Sequence, residues 1–219
     1  MEIPDTDYFR KVFLKYTKKA FELLGKINKP KILDVGCGTG LPTIELAYLS
    51  KGEVFGMDVD QSALEKFEIK IKNQGLKNRV KAINASFLSN NFTSESFDII
   101  WAEGVFQIIG YDKSFKESHR LLKMGGHLVM ADTLKSIKPK VNSLLKHGFE
   151  LYNQVNWMEN AWWIDYYQPL EKMLKNLRDA KIDPRLYEHL TKHEEEISMI
   201  KKNPKEFDCA HYLLRKIKN

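Results

Sequence analysis

Apolar side chains recur in two rhythms along this chain. Between residues 6 and 24, Phe9, Val12, Phe13, Tyr16, Ala20, Phe21 and Leu24 fall at three- and four-residue intervals, the spacing of one helix face. Asp5 or Thr6 is the predicted N-cap, Gly25 the stop, and Pro30 guards the entry to the next element. From Lys31 the rhythm changes to short apolar runs separated by helical patterns. Strands are expected over Lys31–Val35, Glu53–Met57, Arg79–Asn84, Phe97–Trp101 and His127–Ala131, and helices over Leu41–Leu49, Gln61–Asn73 and Asp112–Leu122. Pro42 suits a first helical turn, where its missing N–H is harmless, and Gly75 suits a C-terminal cap. Strands alternating with helices at this spacing predict an α/β fold with a doubly wound, mostly parallel sheet and helices on both faces.

After Asp132 the alternation stops. Residues 134–180 read as helical, with Tyr166, Leu170, Met173, Leu174 and Leu177 forming one stripe. Three of the four tryptophans, Trp157, Trp162 and Trp163, cluster here beside Tyr166 and Tyr167. Residues 184–204 read as irregular to helical. Phe207–Arg215 (FDCAHYLLR) is a candidate last strand, antiparallel and at the sheet edge. The chain is therefore divided as a single domain over 1–219, with an N-terminal helical cap over 1–28 and a helical insertion over 134–180.

Composition adds exclusions. An apolar fraction of 43% suits a packed core rather than a disordered chain. No apolar run approaches the roughly 20 residues that span a bilayer, and the start, MEIPDTDYFRKVF, has no signal-peptide apolar region. A cytoplasmic protein without membrane association is expected. Cys37 and Cys209 sit in no metal-ligand spacing, so no metal site is expected. The net charge of +6 raises the question of a nucleic-acid partner. The lysines are spread along the chain and interleaved with acids, as in KHEEEISMIKK, which argues against one.

The chemistry concentrates after the first strand, in KILDVGCGTG. Gly36, Gly38 and Gly40 give GxGxG at a strand-to-helix turn, the place where open α/β sheets bind ligands. Dinucleotide loops have GxGxxG; here the third glycine comes one residue early, and Asp34 stands two residues before the first. An acid there disfavours a pyrophosphate and suits an ammonium or sulfonium. Asp58, ending the second strand, can accept from both hydroxyls of a ribose. Asp60 reads as a helix N-cap. Asn84-Ala85-Ser86-Phe87, after the third strand, can border an adenine. The phosphate-cradling GxxxxGK[ST] is absent.

Adenine, ribose and a cationic amino-acid end together resemble the ligand of the class I S-adenosylmethionine-dependent methyltransferases, small-molecule type. LDVGCGTG is similar to that family's first motif, GMDVD to its second and NASF to its third, where many members carry Asp at the place of Asn84. FDIIWAEGVFQII and LLKMGGHLVMAD resemble its fourth-strand motif and the turn into its fifth strand. The resemblance covers about residues 30–135. It implies a Rossmann-like fold, S-adenosyl-L-methionine as cofactor, and methyl transfer to a small, partly apolar acceptor. It also implies cofactor-binding roles: Asp34 toward the amino-acid end; Gly36, Gly38 and Gly40 for close approach; Asp58 and Val59 at the ribose; Ala85 and Ser86 at the adenine; and Glu103 at the methyl-transfer mouth.

Gln107 stands where many relatives carry His. Glu103, His119, His127 and His147 are candidate proton acceptors, and none is singled out as a catalytic base. The Trp157–Tyr167 rings either hold a flat or cationic acceptor or glue the insertion to the sheet. Three other readings compete: an RNA or protein methyltransferase, an NAD-dependent oxidoreductase, and a non-catalytic cofactor-binding protein. [ND]PP[YFW] is missing after the fourth strand and the glycine spacing is short for NAD, which weakens the first two.

Overall fold

The computed structural model describes residues 6–178 and 184–217, so Asp5 and residues 179–183 lie outside the description. The chain opens with α1 (Thr6–Arg10), a 3₁₀ turn (Lys11–Phe13) and α2 (Leu14–Leu23). There follow β1 (Lys31–Val35), α3 (Leu41–Ser50), β2 (Glu53–Asp58), α4 (Gln61–Asn73), β3 (Val80–Asn84), β4 (Phe97–Glu103), α5 (Phe106–Ile109), α6 (Tyr111–Leu121) and β5 (Leu122–Thr133). Every strand and helix expected between residues 31 and 133 is present, most with ends within two residues. β5 is the exception: it runs for 12 residues where five were expected, because it pairs with β4 on one side and with an antiparallel strand on the other.

The seven strands lie in the order β3-β2-β1-β4-β5-β7-β6. β3 to β5 are parallel, and β7 (Cys209–Lys216) and β6 (Phe149–Asn156) are antiparallel to their neighbours. The chain leaves β1 toward β2 and β3, then returns to β4 on the other side of β1. That reversal opens a crevice at the carboxyl ends of β1 and β4. Val35 lies opposite Ala102 in the register, so the glycine turn after β1 meets Glu103 at the end of β4.

Two expectations are corrected beyond Asp132. Residues 134–180 are not helical throughout. The short helices α7 (Leu134–Ile137) and α8 (Val141–Leu144) give way to β6, and only then come a π-helical turn (Trp162–Tyr167) and α9 (Gln168–Arg178). β6 lacks a clean alternation of apolar residues. Only Phe149 and Val155 are buried, and the register shifts between Leu151 and Asn153. The C-terminal strand β7 is also not the edge. It lies between β5 and β6, and its burial on both faces (Ala210, Tyr212, Leu213 and Leu214 all at most 3% exposed) follows from that position. Residues 184–204, read as irregular to helical, hold the long helix α10 (Pro184–Lys202).

The core has one apolar layer on each face of the sheet. Leu33, Val35, Ile100, Met130 and Leu214 pack with Phe106 and Phe115 on one side. Ile32, Ile99, Trp101, Val129 and Leu213 pack on the other with Phe13, Tyr16, Ala20, Trp157 and Tyr166. The N-terminal cap is thus part of the second layer, and it closes over the carboxyl end of the sheet.

Candidate functional site

The glycine turn is built by two kinds of glycine. The backbone N–H groups of Gly36 and Cys37 both donate to the Met57 carbonyl, at 2.8 and 3.1 Å, tying the turn to β2. A Cβ on Gly40 would lie 1.9 Å from the Phe67 ring, and one on Gly36 would lie 2.7 Å from Val105. These two glycines make room for the protein's own side chains. Gly38 is different: its φ is +51°, and no atom lies within 4 Å of where a Cβ would stand. Of the three, Gly38 alone leaves open space beside its backbone.

The Gly38 N–H donates to Asp58 Oδ2 at 2.7 Å, and the Asp60 N–H donates to Asp58 Oδ1 at 3.0 Å. Each carboxylate oxygen keeps a further lone pair, so Asp58 can accept a ligand's hydroxyls. Asp60 caps α4 through bonds from Ser62 and Ala63, as expected. Val59 stands 70% exposed beside Asp58. The Ala85 N–H donates to the Asp58 carbonyl at 3.1 Å, which sets Ala85 and Ser86 at the neighbouring strand end. Asp58, Val59, Ala85 and Ser86 therefore form one open, partly apolar rim running away from the turn.

On the other side of the turn lies a cavity of about 390 Å³. Asp34, Gly36, Cys37 and Gly38 form its floor, Glu103 and Gly104 one wall, and Phe13, Trp157, Trp162 and Tyr167 an aromatic wall. Asp34 is buried and accepts from Thr43 Oγ1 at 2.5 Å. Burial pushes its carboxyl up, the Thr43 bond opposes this, and the charges of Glu103 and Asp58 push it up again, to about 8. Such a site lacks positive charge on its own side and gains by receiving it. Burial raises the Cys37 thiol, which fits a space-filler and not a nucleophile.

Glu103 is held by three donors, all on Oε1: Trp101 Nε1 at 2.8 Å, Thr17 Oγ1 at 3.0 Å and His211 Nε2 at 3.1 Å. His211 is completely buried on β7. Its Nδ1 accepts from Trp157 Nε1 at 3.0 Å, which places the ring hydrogen on Nε2 and fixes it as the donor to Glu103. The register explains how two non-adjacent strands meet here. Ala131 lies opposite both Glu103 and His211, and its methyl group leaves the space the two side chains cross. Burial raises the Glu103 carboxyl, but the bonds from His211, Trp101 and Thr17 outweigh it and leave it below the usual carboxylate range.

The expected proton acceptors divide accordingly. Glu103 lies on the cavity wall, whereas His119, His127 and His147 do not: they contact Phe149, Tyr152 and Asp112 respectively. His211 and Thr17 were missed. A histidine in the middle of the apolar run CAHYLL was the available signal for His211; nothing local marked Thr17. Arg10 and Asp7 also reach the cavity. Asp7 accepts from Thr39 Oγ1 at 2.8 Å and pairs with Lys70. Among the described residues no group of His, Cys, Asp and Glu could hold a metal ion. The rings glue the insertion to the N-terminal cap, and some of them also line the cavity. Trp157 stacks on Tyr16 at 4.6 Å and on Phe13 at 5.0 Å, and the same ring faces the cavity.

Residues 28–181 match the family model described as a methyltransferase domain. The chain is 30% identical over 166 residues to the demethylmenaquinone methyltransferase of Geobacillus stearothermophilus, covering 68% of this chain and 69% of that one. It is 34% identical over 119 residues to methyltransferase GfsG of Streptomyces halstedii, covering 54% of this chain and 43% of that one. The chain thus spans less than half the length of one of these curated relatives. Among solved structures, the [4+2]-cyclase SpnF superposes with a TM-score of 0.77 at 20% identity, over 94% of this chain and 81% of that one. The geranyl diphosphate C-methyltransferase of Streptomyces coelicolor A3(2), solved with S-adenosyl-L-homocysteine, gives 0.65 at 13% identity, over 93% and 76%. These structural likenesses establish the fold.

Proposed function

This chain belongs to the class I S-adenosylmethionine-dependent methyltransferases, and on that premise we propose that it methylates a small, partly apolar acceptor. The observation that carries the reading is the junction at Gly38. One open backbone position joins a carboxylate-bearing rim, fit for a nucleoside, to an acid-floored cavity walled by rings. The residues present suit a sulfonium nucleoside: Gly38 has no neighbour where a Cβ would stand, Asp58 has acceptor capacity left, and the floor is acidic. A diphosphate would meet Asp58 with like charge and would bring no cation for the buried Asp34 to ionise against.

In this reading Asp58 and Val59 hold the ribose, Ala85 and Ser86 border the adenine, and Gly36 and Gly40 keep the turn in shape while Gly38 meets the ligand. Asp34 acts from beneath the turn, through its charge and through Thr43. Bound there, the cofactor supplies an electrophilic methyl group: the acceptor's lone pair forms the new bond as the carbon–sulfur pair returns to sulfur. The chain's part is alignment and exclusion of water, since proximity alone supplies several kcal/mol of such a barrier. Glu103 at the mouth and the rings of Phe13, Trp157 and Trp162 orient the acceptor. The 134–180 segment covers this site through Trp157, Trp162 and Tyr167, and the N-terminal cap through Phe13 and Thr17.

An acidic cavity offers nothing to a polyanion, which supports a metabolite over RNA. Cys37 and Cys209 are free and buried, in keeping with a reducing cytoplasm. No helix among the described residues is long and apolar enough to cross a membrane. The reading is tested by titrating the protein with S-adenosylhomocysteine and with NAD. Binding of the first alone is expected, and binding of NAD alone would overturn it.

A further inference from the structure

Resting on the cofactor reading above, we infer that the methyl acceptor is an amine, held by an N–H donated to Glu103 Oε2 and lying against the rings of Trp157, Trp162 and Phe13. The two oxygens of Glu103 are used unequally. Oε1 takes the bonds from Thr17, Trp101 and His211, and Oε2 takes none from any described residue. The side chain is 21% exposed, and it forms a wall of the cavity. Three fixed donors on one oxygen lock the carboxylate's orientation and leave the other oxygen as the acceptor presented to a ligand. His211 is itself fixed by Trp157, so the ring that walls the cavity and the carboxylate that faces it are parts of one network.

The surrounding charges choose the ligand class. Asp34 and Asp132 line the same cavity, each pushed up by burial and so able to ionise against an entering cation, and Asp7 there is already paired with Lys70. Arg10 is the one cationic side chain among the residues that line it, against Glu196 beside Tyr167. A phenolate, carboxylate or phosphate acceptor would bring negative charge to Glu103. The amine enters as an ammonium ion and loses one proton to water before attack, which frees its lone pair while a remaining N–H still donates to Glu103; once methylated it is an N-methylammonium whose charge lies between a carboxylate and aromatic faces, the setting that favours such cations. Its proton is lost to water after release. Glu103 stays ionised throughout and acts as a hydrogen-bond acceptor and counter-charge.

The test uses the protein saturated with S-adenosylhomocysteine and a matched set of probes: phenethylamine and its N-methyl derivative, tyramine, 2-phenylethanol, 4-methylphenol and 3-phenylpropanoate. Calorimetry should show that the amines bind and that the carboxylate does not. E103Q should weaken the amines by about 10- to 100-fold, the usual loss for a hydrogen bond to a charged group. Its effect on S-adenosylhomocysteine affinity should be clearly smaller than its effect on the amines, since Glu103 acts on the cofactor's amino-acid end only through its charge on Asp34. The melting temperature of E103Q checks that its fold is intact, and E103D, which keeps the charge, should retain part of the amine binding. The inference is overturned if no amine binds, if the phenol or carboxylate binds in preference, if E103Q leaves amine binding unchanged, or if its loss falls on S-adenosylhomocysteine. Failure of wild type to bind S-adenosylhomocysteine is a separate outcome, and it sinks the cofactor reading first.

Discussion

From β3 to β5 the strands run parallel, and what they present at their carboxyl ends is mostly backbone and carboxylate: the Gly38 N–H, Asp58, the Ala85 N–H. From β5 to β6 they run antiparallel, and the same end of the sheet presents rings and a buried histidine. The parallel half makes its site from a turn that any chain with the right glycines would form. The antiparallel half makes its site by bringing Thr17, Glu103, Trp157 and His211 together from positions up to 194 residues apart, as the numbering of His211 and Thr17 gives. The first kind of site suits a ligand common to many proteins. The second can be rebuilt for one acceptor without disturbing the first.

Three substitutions, in falling order of effect, and one condition probe that division. Gly40→Val puts atoms inside the Phe67 ring and is expected to prevent folding, a cost above about 4 kcal/mol; normal soluble yield and melting temperature would contradict the packing role. His211→Phe removes one bond from Glu103 and one from Trp157. It should lower stability by about 1–3 kcal/mol and raise acceptor KM while leaving S-adenosylhomocysteine affinity unchanged. Recovery of KM by His211→Gln would separate positioning from simple loss of packing, and equal damage to both ligands would merge the two halves.

Gly38→Ala meets open space, so its cost is the left-handed backbone, about 1–2 kcal/mol. The loss should show in cofactor affinity more than in core packing, the opposite of Gly40. The fourth probe is a pH slope, read by its direction. Asp34 has a folded value near 8 against 3.8 unfolded, so between those limits the folded state holds more protons than the unfolded one. Stability should therefore fall as pH rises from about 4 to about 8, and Asp34→Asn should remove that component. Binding of cationic S-adenosylmethionine should release protons near pH 7, more than neutral S-adenosylhomocysteine does; equal release, measured in buffers of different ionisation enthalpy, would contradict it.

The same division governs what could be read from sequence. β1 and α3 announce themselves through KILDV, three glycines and Pro42, signals that act over a few residues. Asp58 and Ala85 follow because strand ends in such a sheet are set by the alternation itself. β6 gave no such signal: four of its eight residues are polar or charged side chains outside the core, the register slips at Asn153, and its pairing with β7 joins residues about 60 apart. His211 was invisible as a site residue for a related reason. Its partners come from β4 and from the segment after β6, and only the sheet order β4-β5-β7 puts Ala131 between them. The glycine turn was legible as a turn, yet which glycine faces a ligand depended on where Phe67 and Val105 pack.

We propose that the turn after β1 grips a sulfonium nucleoside with Asp58 at its sugar. Calorimetric titration of wild type and Asp58→Ala with S-adenosylhomocysteine tests it most directly. The account predicts one site per chain and a loss of about 1–3 kcal/mol in the variant, with the melting temperature nearly kept. Equal affinity in the two proteins would contradict it.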